Sequence, residues 1–185
     1  MAALWLWGLV SVIVLLVLYV VLTYNRFISL INRADNAWSQ IDVQLKRRFD
    51  LIPNLIETVK GYMKHEKETL KDVTAARTEF MKATGPAGKA RAENMLEGAL
   101  KTIFAVAESY PNLRANENFM HLQEELSGTE NKIAYSRQFY NDNVQDFNTK
   151  LESFPSNVIG KMFNFVNKEF FEAAESEREV VKVKF

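Results

Sequence analysis

The sequence contains no cysteine. That excludes a disulfide framework, a thiolate nucleophile, thiolate metal ligation and a lipid-modified N-terminal cysteine. Glycine and proline are scarce, seven and four in 185 residues, so the chain has few places where a helix must stop. Neither sign of charge dominates. With 23 basic and 23 acidic side chains, no net field draws the protein to nucleic acid or to an acidic substrate. The two histidines, His65 and His121, lack the company that metal sites need. Thr69 stands where a zinc-protease helix starting at His65-Glu66 would place its second histidine. Glu117 precedes His121 by four residues rather than three, so the Glu-x-x-His pattern of paired-metal bundles is missing. Gly85 to Lys89 lacks the spacing of a phosphate loop, and Ser39, Ser109 and Ser136 have no histidine beside them in sequence. The expectation is a protein that is not an enzyme, with no cofactor and no metal site.

A membrane-length apolar run is present. Leu4 to Thr23 carries no charged side chain, and as a helix it would cover about 30 Å, the hydrocarbon thickness of a bilayer. Trp5 and Trp7 stand at one end, Tyr19 and Tyr24 at the other, as interfacial rings do. No basic residue precedes the run and no small-x-small site follows it, so it reads as a retained anchor rather than a cleaved signal peptide. Arg26 and Arg33 follow the run, which predicts an N-terminus outside and a body in the cytoplasm.

From Phe27 onward apolar residues recur at steps of three and four. Phe27, Leu30, Ala34, Trp38, Ile41, Leu45, Phe49 and Ile52 make a coiled-coil-like seam that must lie against other helices. Pro53 interrupts it. A helix break there leaves two outcomes open, a kink or a sharp reversal into a second helix over 51–82. Ala83 to Gly88 reads as a loop, 89–108 as a third helix, and Asn112 as the cap of a fourth, whose inner stripe runs from Phe119 to Phe154. Phe154-Pro155 stops that helix. A shorter amphipathic piece follows, carrying Val158, Ile159, Met162, Phe163, Val166 and Phe170, and then an alternating tail that ends at Phe185. The fold class is all-α: a single N-terminal transmembrane helix followed by an antiparallel bundle of long helices. The divisions are 1–24 for the anchor, 25–155 for the bundle, and 156–185 for the short amphipathic helix and tail.

Several stretches resemble the LemA family of bacterial membrane-anchored helical proteins. They include Ala37-Trp38-Ser39, Ile41 to Arg48, Asp50 to Leu55, Val59 to Tyr62, Ala107 to Leu113, Thr129 to Ile133, Tyr140-Asn141 and Phe154-Pro155. The resemblance implies a single span with the N-terminus outside, a helical-bundle body at the bacterial cytoplasmic (inner) membrane, and no established enzymatic activity. Its magnetosome-associated members point to work on membrane organisation.

Two groups of residues are candidates for function. Phe163, Phe165, Phe170 and Phe171, with Phe185 in the tail, supply more aromatic surface than one short helix needs. They either pack across the open end of the bundle or meet another subunit. Asp42, Gln44, Lys46, Arg47 and Arg48 on the seam helix, with Glu130, Asn131 and Arg137 on the fourth helix, form a candidate polar network that fixes helix register. Lys46 to Arg48 would pair with Asp42, Asp50 or Glu57. As lipid ligands they are misplaced, because a straight helix carries Lys46 about 35 Å beyond Thr23, several Debye lengths from the headgroups. The function expected is a self-assembling scaffold at the membrane. The alternative is an adaptor or sensor that presents partners to a membrane protease or signalling protein. The expected partners are the lipid bilayer, further copies of the chain in a homo-oligomer and a membrane protein, with no nucleic acid.

Overall fold

In the computed structural model, which describes residues 2–63 and 66–172, the apolar run and the seam are one helix. Helix α1 spans Ala2–Lys60 without interruption, 59 residues in all. Its first part is exposed, and Thr23 is the first buried residue along it. It is long and apolar enough at that end to cross a membrane. From Phe27 on, the predicted seam is the buried face: Phe27, Leu30, Ala34, Ile41, Leu45, Phe49, Ile52, Leu55 and Val59 all lie in the core.

Pro53 does not break the helix; it sits inside α1. An interior proline costs about 3 kcal/mol. Against that, Phe49, Ile52, Leu55 and Val59 on either side are buried almost completely, and each such side chain contributes about 1.5–3 kcal/mol. Burial wins. The chain leaves the helix at Gly61-Tyr62 instead, and helix α2 is Lys67–Lys82 rather than a long element beginning at Leu51.

Helix α3 is Gly85–Ala107. The loop before it is only Ala83-Thr84, because Pro86 falls in the first helical turn, where its missing N–H costs nothing. Gly85 takes the positive φ of 69° that the tight turn requires. A single turn, α4 (Pro111–Arg114), precedes helix α5, Glu117–Glu152. The cap of α5 is Asn116 rather than Asn112, and its Oδ1 accepts from the Phe119 N–H at 3.0 Å. The α5 helix has 36 residues and ends just before Phe154-Pro155. Phe154 is 83% exposed and lies outside the inner stripe. The amphipathic piece is a seven-residue helix, α6 (Ser156–Met162). The chain beyond it to Glu172 is not helical, and Val158, Met162, Phe163, Val166 and Phe170 are exposed, with Ile159 and Phe171 buried instead.

Helices α1 and α5 lie antiparallel along their length. Phe27 meets Phe147, Trp38 meets Tyr140, Arg48 meets Glu130 and Tyr62 meets Asn116. The α2–α3 hairpin covers this pair at the far end, where the Phe49 and Phe80 rings stack at 3.9 Å and Phe104 meets Phe119 at 6.1 Å. The segment from α6 to Glu172 covers the end next to the apolar run. The body is therefore all-α, an antiparallel bundle with two coverings placed end to end on one helix pair. The alternating tail and Phe185 lie outside the described residues, as does His65.

Candidate functional site

At the far end one cation is buried between three helices. Arg48 is only 2% exposed. Its guanidinium donates to Glu93 of α3 and, at 3.2 Å, to Glu130 Oε2 of α5. Glu93 is buried and Glu130 reaches in from the rim. Arg48 Nε and Glu93 Oε2 have no partner. Burial pushes the Glu93 carboxyl above its ordinary value, and Arg48 opposes that shift while Glu97 and Glu130 add to it. The cluster ties α1, α3 and α5 at one level.

The neighbouring charges pair outward. Arg47 donates to Glu125 at 2.6 Å, and that bond holds the exposed Glu125 carboxyl below its usual range. Asp42 accepts from Lys89, whose ammonium also lies 4.6 Å from the Phe80 ring centroid. The partners of Arg47 and Arg48 thus lie across the bundle, on α3 and α5, and are not Asp42, Asp50 or Glu57. Lys46 and Asn131 are exposed, and Gln44 and Arg137 are half-buried. Gln44, Asn131 and Lys132 line an open groove between α1 and α5, with Val43 and Tyr135 exposed in it.

The near end is aromatic. Phe165 lies 5.0 Å from Phe27, 5.9 Å from Tyr24 and 6.4 Å from Phe147, and Phe163 lies 4.7 Å from Tyr24. Phe171 is fully buried beside Trp38 at 6.1 Å. Phe170 is partly exposed. Phe163, Phe165 and Phe171 thus contact the chain's own helices.

Two asparagines hold the covering segment in place. Asn148 donates to the Lys168 carbonyl at 3.0 Å and accepts from the Lys168 N–H at 2.9 Å. Asn141 does the same with both backbone groups of Phe171, at 2.9 Å each. The spacing explains the match: seven residues of helix rise about 10.5 Å, and three extended residues cover about 10 Å. Sequence reasoning missed these clamps, although their signal was a pair of asparagines seven apart beside Tyr140 and Phe147. Replacing both with leucine should free the segment. Trypsin should then cut after Lys161 and Lys168 several-fold faster, with helix content unchanged. Cutting at the parent rate would show that the clamps hold nothing.

Tyr140 adds a third tie, donating to the Glu169 carbonyl at 2.8 Å. Burial, helped by Asp35 and Glu169, pushes its hydroxyl up to about 12. A raised folded value contributes stability that is complete below the ordinary tyrosine pKa of 10.0 and is lost as pH rises through about 12. The melting temperature should therefore drop steeply over that window in the parent, and less in Tyr140→Phe. Parallel curves would contradict the assignment.

Among the described residues no group of three or more His, Asp or Glu side chains is placed to hold a metal ion. His121 is exposed beside Glu57 and Asn118.

A family model described as the LemA family matches residues 37–185. The chain is similar to Protein LemA of Metamycoplasma hominis, with 29% identity over 80% of this chain and 68% of that protein. It is also similar to magnetosome protein MamQ 2 of Paramagnetospirillum magneticum, with 24% identity over 80% of this chain and 64% of the relative. For magnetosome protein MamQ of Magnetospirillum gryphiswaldense the identity is 23% over the same shares. The chain spans about two thirds of the length of these curated relatives.

Proposed function

This chain belongs to the LemA family, and on that premise we propose that it is a non-enzymatic scaffold, anchored by a single span in the bacterial inner membrane, that assembles with further copies of itself. The observation that carries this reading is the continuity of α1. One helix is apolar and exposed over its first part and then becomes the central element of the bundle. A body joined to a bilayer in this way has no flexible linker, so it holds a fixed height and tilt, as a scaffold requires. Relatives named as magnetosome proteins support a membrane setting. Arg26 and Arg33 after the apolar run support a cytoplasmic body.

Crosslinking in intact membranes, followed by sizing after gentle solubilisation, tests the assembly. Ladders of the chain with itself are expected. Monomers alone would overturn the scaffold, and a stoichiometric different protein would turn the reading to an adaptor. An alkaline-phosphatase fusion at Phe185 should be inactive; activity would reverse the orientation.

A further inference from the structure

The α6 end of the body exposes an apolar surface that the bundle does not use. Within α6, Ser156, Ile159 and Gly160 are buried, and a Cβ on Gly160 would meet Leu151 and Phe27. That face lies on the body. Val158 and Met162, one helical turn apart on the opposite face, are 59% and 60% exposed. Phe154 before the helix and Val166 after it are more exposed still. These are large apolar side chains within thirteen residues of chain, gathered at one end of the molecule rather than scattered singly.

The level at which they sit identifies what covers them. The Phe163 ring lies 4.7 Å from Tyr24, the residue that directly follows the uncharged run Leu4 to Thr23. Phe165 reaches both Tyr24 and Phe27. Thr23, the last residue of the run, is already buried. The short helix is therefore held at the end of the membrane-length segment, with its free face turned away from the body. Basic side chains stand at this end of the body: Lys161 is exposed on α6, Arg26 is exposed two residues beyond Tyr24 on α1, and the Lys150 ammonium lies 5.8 Å from the Phe27 ring centroid. An apolar face edged by Lys and Arg is the composition of an interfacial helix.

We propose that α6 and its flanking turns lie in the headgroup region of the bilayer that α1 crosses, with Phe154, Val158, Met162 and Val166 buried at the acyl boundary. The occupant of the surface is lipid, with Lys161, Arg26 and Lys150 placed to meet anionic headgroups. The bundle then has a second membrane contact some 130 residues from the first in sequence, which resists rocking of the body about α1. The inference rests on the anchoring of α1 put forward above.

The absence of native cysteine makes the test clean. Single variants Val14→Cys, Tyr135→Cys, Val158→Cys and Met162→Cys of the full chain, all at exposed positions, carry an environment-sensitive fluorophore. They are reconstituted in vesicles of phosphatidylcholine and phosphatidylglycerol. Lipid-borne nitroxide should quench the labels at 158 and 162, and aqueous iodide should quench them several-fold less than the label at 135. Quenching at 14 by lipid but at 158 and 162 by iodide alone would overturn the proposal and leave the anchor standing. Protection at 158 and 162 from both quenchers would also overturn it, since protein would then cover the surface. No lipid quenching at 14 would remove the anchor and the proposal together.

Discussion

Arg48→Met should destabilise the protein by about 3–5 kcal/mol, the cost of leaving a buried charge without its partner. Glu93 is the group left behind. It is 3% exposed, and Arg48 supplies the main force that opposes the effect of burial on its carboxyl. Without Arg48 the carboxyl rises further. The sign of the pH dependence follows: a raised folded value favours the folded state below the ordinary carboxylate pKa, and that stability is lost as pH rises through the folded value. The deficit of Arg48→Met should therefore shrink on acidification and be largest near neutral pH. The double variant Arg48→Met/Glu93→Leu should recover most of the loss, because an apolar pair of similar volume leaves no buried charge unpaired, and Glu130, whose side chain is 47% exposed, can turn to water. Chemical denaturation of the parent and both variants at two pH values checks this. A deficit independent of pH, or a double variant no better than the single one, would remove Glu93 as the cause.

Phe27→Ala acts at the other end of the body and should cost about 3–5 kcal/mol. Phe27 is fully buried, within 5.8 Å of the Phe147 ring and 5.0 Å of the Phe165 ring. Its loss opens a cavity where α1, α5 and the covering segment meet. Amide hydrogen exchange should rise over 24–31 and 144–151 and stay at the parent level in α3, which belongs to the far covering. Phe27 and Arg48 are about 30 Å apart along α1, so the two costs should add to within about 0.5 kcal/mol. Uniform acceleration of exchange across all helices would mean that the two ends unfold as one unit.

Periodicity revealed the parts of this fold that depend on local patterning. The seam from Phe27 to Ile52 and the length of α5 follow from steps of three and four, which only a helix satisfies. The helix boundaries were harder because competing terms decide them. Pro53 reads equally as a kink or a reversal until the burial of Phe49, Ile52, Leu55 and Val59 is known, and the turn at Gly61-Tyr62 was hidden behind it. Pro86 looks like loop but serves as a first-turn residue. The chain after α6 was misread for another reason. The four-residue steps from Met162 to Val166 to Phe170 suggest a helix, yet the backbone of Lys168 and Phe171 is satisfied by Asn148 and Asn141.

In the polar network, Arg48 was expected to pair with Asp42, Asp50 or Glu57, and of its two actual partners Glu130 was a candidate for the network. Glu93 was not, although it lies three residues before the buried Leu96 and so shares its face. The exposed apolar residues of α6 were legible only as amphipathic, because their level relative to Tyr24 is set by tertiary packing.

The continuity of α1 through Pro53 is open to one distance. Nitroxide labels on Leu22→Cys and Lys60→Cys, both exposed, in the full chain in vesicles report it by pulsed electron resonance. A continuous helix gives one narrow distribution near 57 Å at 1.5 Å per residue. A reversal at Pro53 would instead give about 36 Å, and a joint at the membrane surface would give a broad spread. Either result would contradict a body fixed to its anchor by a single helix.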